Sequence, residues 1–237
     1  AVNYALALYG NPQRTVDEVK SFIGNGSLML IRRSLQNGGD DEFCKEVRTH
    51  FRAEYERRML DRTKPYDGIA DINDMLNEKG IVSVVLTNKD DKNAVPMIKH
   101  YFGETVHICK GVGKDTERKP NPENTLWVLS QLGITPDEAV FVGDGMADLQ
   151  VSQNAKIDFV PVGYGYTSPE KLFSECQRIS ESINRSAYPQ INELQELQSG
   201  VKLIARCADP VIAQKKEFRV NPGEMNCLSV ETAKICG

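Results

Sequence analysis

From residue 64 to about residue 170 the chain alternates short β-branched apolar runs with stretches of helical periodicity. That alternation predicts an α/β core, a Rossmann-like parallel sheet with helices on both faces, because parallel strands must be joined by long crossovers. Ile69, Ile72, Met75 and Leu76 share a helical face that Gly80 closes, and residues 82–86 read as a buried strand. Val95, Ile98 and Lys99 fall in the next helix, and 106–108 in a short strand. Leu126, Leu129 and Leu132 face inward from a helix ended by Gly133; strand 139–142, a helix over about 147–154 and strand 159–162 complete the run. Residues 1–63 carry only helical patterns. Val2, Ala5, Leu6 and Tyr9 share a face, Thr15 and Glu18 have capping-box spacing, and Ser27 opens a helix through Leu35. Phe43, Val47, Phe51, Tyr55 and Met59 then recur every four residues along a helix of about five turns.

The chemistry concentrates where strands end. Val142-Gly143-Asp144-Gly145-Met146-Ala147-Asp148 follows an apolar run, so Asp144 and Asp148 sit where a strand gives way to a helix. In an open α/β sheet ligands collect at that end of the strands. Two carboxylates there suit a hard cation such as Mg²⁺, which takes oxygen ligands and keeps waters. The plainer alternative is a capped helix start, with Asp144 as N-cap and Asp148 solvated. The strand 82–86 ends on Thr87-Asn88-Lys89. A hydroxyl, an amide and backbone N–H groups in that place make a phosphate seat, or simply a strand end. Lys119 lies in a charged loop; Pro120 biases it to extended backbone, and Asn121-Pro122 reads as N-cap and first turn of a helix.

The ordered set Leu86-Thr87-Asn88, Lys119-Pro120 and Gly143-Asp144 with Asp148 resembles motifs two to four of the haloacid dehalogenase-like hydrolases. The Phe-Ile-Gly-Asn-Gly stretch at 22–26, Lys64-Pro65-Tyr66 and Gly163-Tyr164-Gly165-Tyr166 resemble one branch, the phosphoglycolate phosphatase-like enzymes with a helical cap. The likeness covers about 170 of the 237 residues. It implies a helical cap at 1–63, a phosphatase core at 64–173 and an unassigned segment at 174–237. It also implies a Mg²⁺-dependent phosphatase of a small phosphorylated metabolite, with 2-phosphoglycolate the best guess, acting through an aspartyl-phosphate. Asp144 and Asp148 would hold the metal, Thr87 and the Asn88 N–H the phosphate oxygens, and Lys119 would balance the charge. Gly24, Asn25, Gly26 and Ser27 would form a cap loop that helps choose the substrate; a plain interhelical turn is the alternative. Arg32 and Arg33 are candidates for a substrate carboxylate. His50, His100, His107 and Trp127 are read as structural or exposed.

The family's first motif, Asp-x-Asp-Gly-Thr, supplies nucleophile and general acid/base, and no Asp-x-Asp-Gly occurs in the chain. The expectation is that the N-terminal strand bearing it is missing and that the chain as written is inactive. A phosphomutase or other relative, or an inactive fragment that only binds phosphate or a partner, are the alternatives. That strand is central in the family, between those ending at Thr87 and Val142. Its loss predicts a disturbed or gapped sheet, with residues 201–205 the less favoured filler because Lys202 would be buried.

The net charge of −4 leaves no nucleic-acid footprint, and no apolar run approaches the ~20 residues that span a bilayer. No signal peptide is visible and the six cysteines show no C-x-x-C pair, which suggests reduced thiols in a cytoplasmic protein. The last 64 residues hold four of those cysteines with weak apolar periodicity. They read as an appended element or, by preference, a frame-altered or read-through tail. Oligomeric state is not legible.

Overall fold

The computed structural model describes residues 1–182, 226–230 and 233–234. Four helices come first: α1 (Val2–Leu8), α2 (Val16–Phe22), α3 (Gly26–Ser34) and α4 (Asp41–Arg58). The α2 start is the capping box that the Thr15/Glu18 spacing predicts: the Glu18 N–H donates to Thr15 Oγ1 at 3.2 Å, and the Thr15 N–H to Glu18 Oε2 at 2.7 Å. Val2, Ala5, Leu6, Ile31, Leu35, Cys44, Val47 and Phe51 form a core private to these helices. Each is spaced to fall on one face of its helix, so the bundle follows directly from the periodicity.

The rest is a layered α/β unit. The short strand β1 (Lys64–Pro65) leads into α5 (Ile69–Glu78), β2 (Ile81–Asp90), α6 (Asp91–Phe102), β3 (Ile108–Val112) and α7 (Glu123–Leu132). A 3-10 turn at Pro136–Glu138, then β4 (Ala139–Gly143), α8 (Met146–Ala155), β5 (Asp158–Pro161) and α9 (Pro169–Ser182) follow. Two further strands are β6 (Asn226–Val230) and β7 (Ala233–Lys234). The two faces of the sheet carry separate cores. Ile69, Ile72, Leu76 and Ile98 pack on Val85, Val142 and Val160, whereas Val128, Leu129 and Val151 pack on Val84, Leu86 and Phe141. Alternation along β2 and β4 divides each strand between the two.

Several sequence expectations shift here. β3 lies at 108–112 rather than 106–108, and α7 buries Thr125, Val128 and Leu129 while Leu126 is exposed. The expected gap in the sheet is absent. The strand order is β3-β2-β6-β4-β5, and β6 is parallel to both neighbours, pairing Val84 with Ser229 and Val142 with Val230. Part of the segment read as an unselected tail therefore completes the sheet. The physical driver is the one that made a gap costly: unpaired N–H and C=O groups on β2 and β4 find partners. Residues 201–205, the filler weighed from sequence, lie outside the described residues. β7 pairs antiparallel with β1, Lys64 opposite Lys234.

Candidate active site

The site lies at the carboxyl ends of β2 and β4, and an irregularity in β2 shapes it. Leu86 pairs with Lys110 and Asp90 with Val112, so four residues of β2 advance against two of β3. A bulge of this kind takes residues off the ladder and re-aims their side chains. Thr87, Asn88 and Lys89 are those residues, inside a strand that runs on to Asp90 rather than ending at Leu86. Gly111 lies opposite, where a Cβ would overlap the Lys89 carbonyl. The Gly111 N–H donates to Asp91 Oδ1 at 2.8 Å and holds the two segments together.

Asn88 binds the Lys119 loop at two points. The Lys119 N–H donates to Asn88 Oδ1 at 2.7 Å, and Asn88 Nδ2 donates to the Lys119 carbonyl at 3.2 Å. The Asn88 side chain thus positions the lysine; it is not the part of Asn88 open to a ligand. The peptide between Lys119 and Pro120 is cis. The Asn121 side chain accepts from the Glu123 N–H at 2.9 Å, while Pro122 occupies the N-cap position of α7. Thr87 Oγ1 accepts the Lys89 N–H at 3.1 Å, which leaves its own hydroxyl proton for an outward acceptor.

The Lys119 ammonium is held tightly. It donates to the Leu86 carbonyl at 3.0 Å and to Asp148 Oδ1 at 2.6 Å, with the two side chains 7% and 3% exposed. An ion pair that deep is held only with its remaining hydrogen bonds satisfied. The Gly145 N–H supplies one, to Asp148 Oδ2 at 3.0 Å. The cap of α8 is Gly145 and Asp148 is buried, so the plainer reading, Asp144 as cap and Asp148 in water, does not hold.

Asp144 sits before the cap, under the loop after β5. Its Oδ2 accepts the Tyr166 N–H at 2.7 Å, and a side chain at Gly165 would overlap it. Tyr164 packs edge-on against Tyr66, ring centroids 5.1 Å apart. Burial, then the negative charge of Asp144 and then Tyr66, push the Tyr164 phenol above its ordinary pKa. Among the described residues no group of three or more His, Cys, Asp or Glu is placed to hold a metal ion. Asp144 and Asp148 are oxygen donors of the kind a hard divalent cation takes.

The helical bundle reaches the same mouth. Gly26 has φ +82°, and a side chain there would overlap the Arg118 guanidinium, so the 24–27 loop meets the loop that carries Lys119. Arg118 Nη1 donates to the Asn88 carbonyl at 2.9 Å. From α4, Arg52 pairs with Asp90, Lys92 with Glu56, and Lys89 with the Tyr55 hydroxyl. Arg32 is paired with Asp41, and Arg33 Nη1 donates to the Phe22 carbonyl at 3.2 Å. Both are committed within the bundle, whereas Arg52 and Arg118 reach Asp90 at the mouth and Arg48 lies one turn from Arg52 on α4. Sequence reading passed over Arg48 and Arg52, although their i, i+4 spacing on one helix is a legible signal for a shared face.

Comparison with known proteins gives the family and the fold. The family model described as haloacid dehalogenase-like hydrolase matches residues 1–162. A phosphoglycolate phosphatase of Pseudomonas putida is 27% identical over 216 residues, covering 89% of this chain and 73% of the relative. The N-acetylmuramic acid 6-phosphate phosphatase of Pseudomonas aeruginosa is 27% identical over 165 residues, 69% of this chain and 73% of the relative. A crystal structure from Lactobacillus delbrueckii subsp. bulgaricus, with the working description phosphoglycolate phosphatase, superposes with a TM-score of 0.74 at 22% identity. It covers 84% of this chain and 89% of that one, and shows the fold.

Proposed function

Because the chain belongs to the haloacid dehalogenase-like hydrolases, a phosphatase family in its relatives here, we propose that Thr87, Asn88, Lys119, Asp144 and Asp148 form the phosphate and metal site of a phosphoric monoester hydrolase. Its substrate class is small phosphorylated metabolites, with 2-phosphoglycolate the leading candidate. The observation that carries this reading is the buried Lys119, fixed by Asn88 at its backbone and by Asp148 at its ammonium. A lysine so placed is a preorganised positive charge at the carboxyl end of a parallel sheet, where an anionic ligand docks.

In this reading the Thr87 hydroxyl and the Asn88 N–H, taken off the ladder by the bulge, donate to non-bridging phosphate oxygens. Lys119 offsets the charge that phosphate brings against the carboxylates, and Asn88 keeps the lysine aimed. Asp144 and Asp148 would hold Mg²⁺, which supplies charge neutralisation for phosphoryl transfer. The helical bundle at 1–63 serves as the cap, with 24–27 as its substrate-facing loop, over a core at 64–173. The family reaction needs a carboxylate nucleophile and an acid/base group from an Asp-x-Asp-Gly-Thr strand, and the sequence contains no Asp-x-Asp-Gly. The chain as written therefore binds phosphate without turnover.

Two measurements test this. Titration calorimetry with inorganic phosphate in Mg²⁺ should show binding that Lys119→Met abolishes. A chain extended upstream by a strand ending Asp-x-Asp-Gly-Thr should gain Mg²⁺-dependent hydrolysis of p-nitrophenyl phosphate and 2-phosphoglycolate, against none for the chain itself. Phosphate binding that is absent, or indifferent to Lys119, sinks the reading.

A further inference from the structure

Three guanidinium groups converge where the helical bundle meets the mouth of the site. Arg48 and Arg52 are one turn apart on α4, and Arg118 immediately precedes Lys119. The carboxylate among them is Asp90, which pairs with Arg52 and lies 3.8 Å from Arg118 Nη2. Arg48 makes no hydrogen bond or ion pair with any described residue, although it is only partly exposed. Burial lowers its pKa, Arg52 lowers it further, Asp90 works against the shift, and Arg118 adds to the lowering. Two buried polar atoms nearby, Arg52 Nε and Ser27 Oγ, have no hydrogen-bond partner. Like charges gathered in a half-buried cleft are unfavourable for the fold alone. An anion would relieve the repulsion and take the free donors.

We propose that Arg48, Arg52 and Arg118 form a second anion subsite that receives a carboxylate on the same small molecule whose phosphate sits at Lys119. Planar guanidinium forks match carboxylate geometry in pairs, and Arg48 is the one without a partner among the described residues. Length follows from the chain. The two charged ends are anchored two residues apart on β2, Arg118 Nη1 on the Asn88 carbonyl and Lys119 Nζ on the Leu86 carbonyl, about 7 Å along a strand. A molecule bridging the two positions is short, a phosphorylated hydroxy acid of two or three carbons. The subsite deepens the phosphatase reading and rests on it. It also makes Gly26 a specificity position, since a side chain there would push Arg118 aside.

The test is calorimetry on the full chain in Mg²⁺ with three probes: inorganic phosphate, ethyl phosphate and 2-phosphoglycolate. Ethyl phosphate matches the last in size and lacks the carboxylate. The expected result is that 2-phosphoglycolate binds about tenfold or more tightly than ethyl phosphate, as a charge-assisted contact requires. Arg48→Gln should remove that preference and leave ethyl phosphate affinity within about twofold of wild type. Arg118→Gln is the second variant, with the same loss of preference. Equal binding of the two organic phosphates by wild type, or a preference that survives in both variants, overturns the subsite while phosphate binding stands. Failure of inorganic phosphate to bind overturns the phosphatase reading and the subsite together.

Discussion

On one side of Asn88 the Lys119 ammonium is buried against Asp148 at 2.6 Å; on the other, Arg52 and Arg118 share the carboxylate of Asp90, with Arg48 one turn from Arg52 on α4. Both clusters contain cations, both touch β2, and only Lys89 stands between Asn88 and Asp90 along the strand. The first is neutralised within the fold and is shut off from water. The second carries an excess of charge and stays partly open. In the first case each charge is needed to keep its partner folded. In the second, removing a charge relieves the fold, so stability gives no reason to hold three arginines together. That difference separates charges that build a site from charges that await a ligand.

Predictions follow that contrast. Lys119→Met should be the most damaging change, because it leaves Asp148 buried without its cation. The expected loss is about 3–5 kcal/mol, a fall in Tm of about 10 °C in a thermal melt followed by circular dichroism. Adding Asp148→Leu to Lys119→Met should recover much of it, since an apolar pair of similar volume no longer strands a charge. A double variant as unstable as the single one would break the claim that the pair is what matters.

Gly143→Ala comes next. A Cβ there would overlap the Asp148 side chain, which Lys119 and the Gly145 N–H hold in place. Overpacking of this kind costs roughly 1–3 kcal/mol, and phosphate binding should weaken with it, as read by denaturant unfolding and calorimetry on one preparation. A fully stable Gly143→Ala chain would mean that Asp148 has room to move.

The Tyr164 phenol tests the burial of the loop after β5, since burial is the main cause of its raised pKa. Its pKa is raised in the folded chain above the unfolded value near 10. The stability it contributes is complete below that unfolded pKa and is lost as pH climbs above it toward the folded value. Tyr164→Phe should therefore flatten the fall in Tm between about pH 9.5 and 11. An unchanged slope would refute the assignment. Smallest of all, Arg48→Gln should leave Tm the same or slightly higher, where loss of an ordinary surface ion pair would lower stability by up to about 1 kcal/mol. A clear destabilisation would show that Arg48 has a structural partner and would weaken the contrast between the clusters.

Much of this was readable from residue order. Helical periods in 1–63 give the bundle and its core, and the Thr15/Glu18 spacing gives its capping box, because such patterns act within a few residues. Alternating runs give the parallel sheet, and the end of the strand before Asp144 and the end of the run before Thr87 were legible as places where polar groups gather. Less was readable about how they meet. That Asn88 grips the Lys119 backbone depends on a bulge whose register is set by β3, some twenty residues further on. That Arg52 reaches Asp90 at the mouth while Arg32 and Arg33 do not depends on how the bundle docks, which no local pattern encodes.

The central strand marks the limit most clearly. The residues of β2 and β4 read as buried strands, and the family resemblance implied a place for one more strand between them. The sequence by itself did not determine what stands there. Asn226–Val230 is a short run with an asparagine and a serine, weak as a strand by composition, in a stretch without clear periodicity. Its strand state is imposed by two edges that offer hydrogen bonds to whatever backbone reaches them. Propensity acts over a few residues and is a small term; a ladder on both sides is a large one, and it exists only once the rest of the sheet has folded.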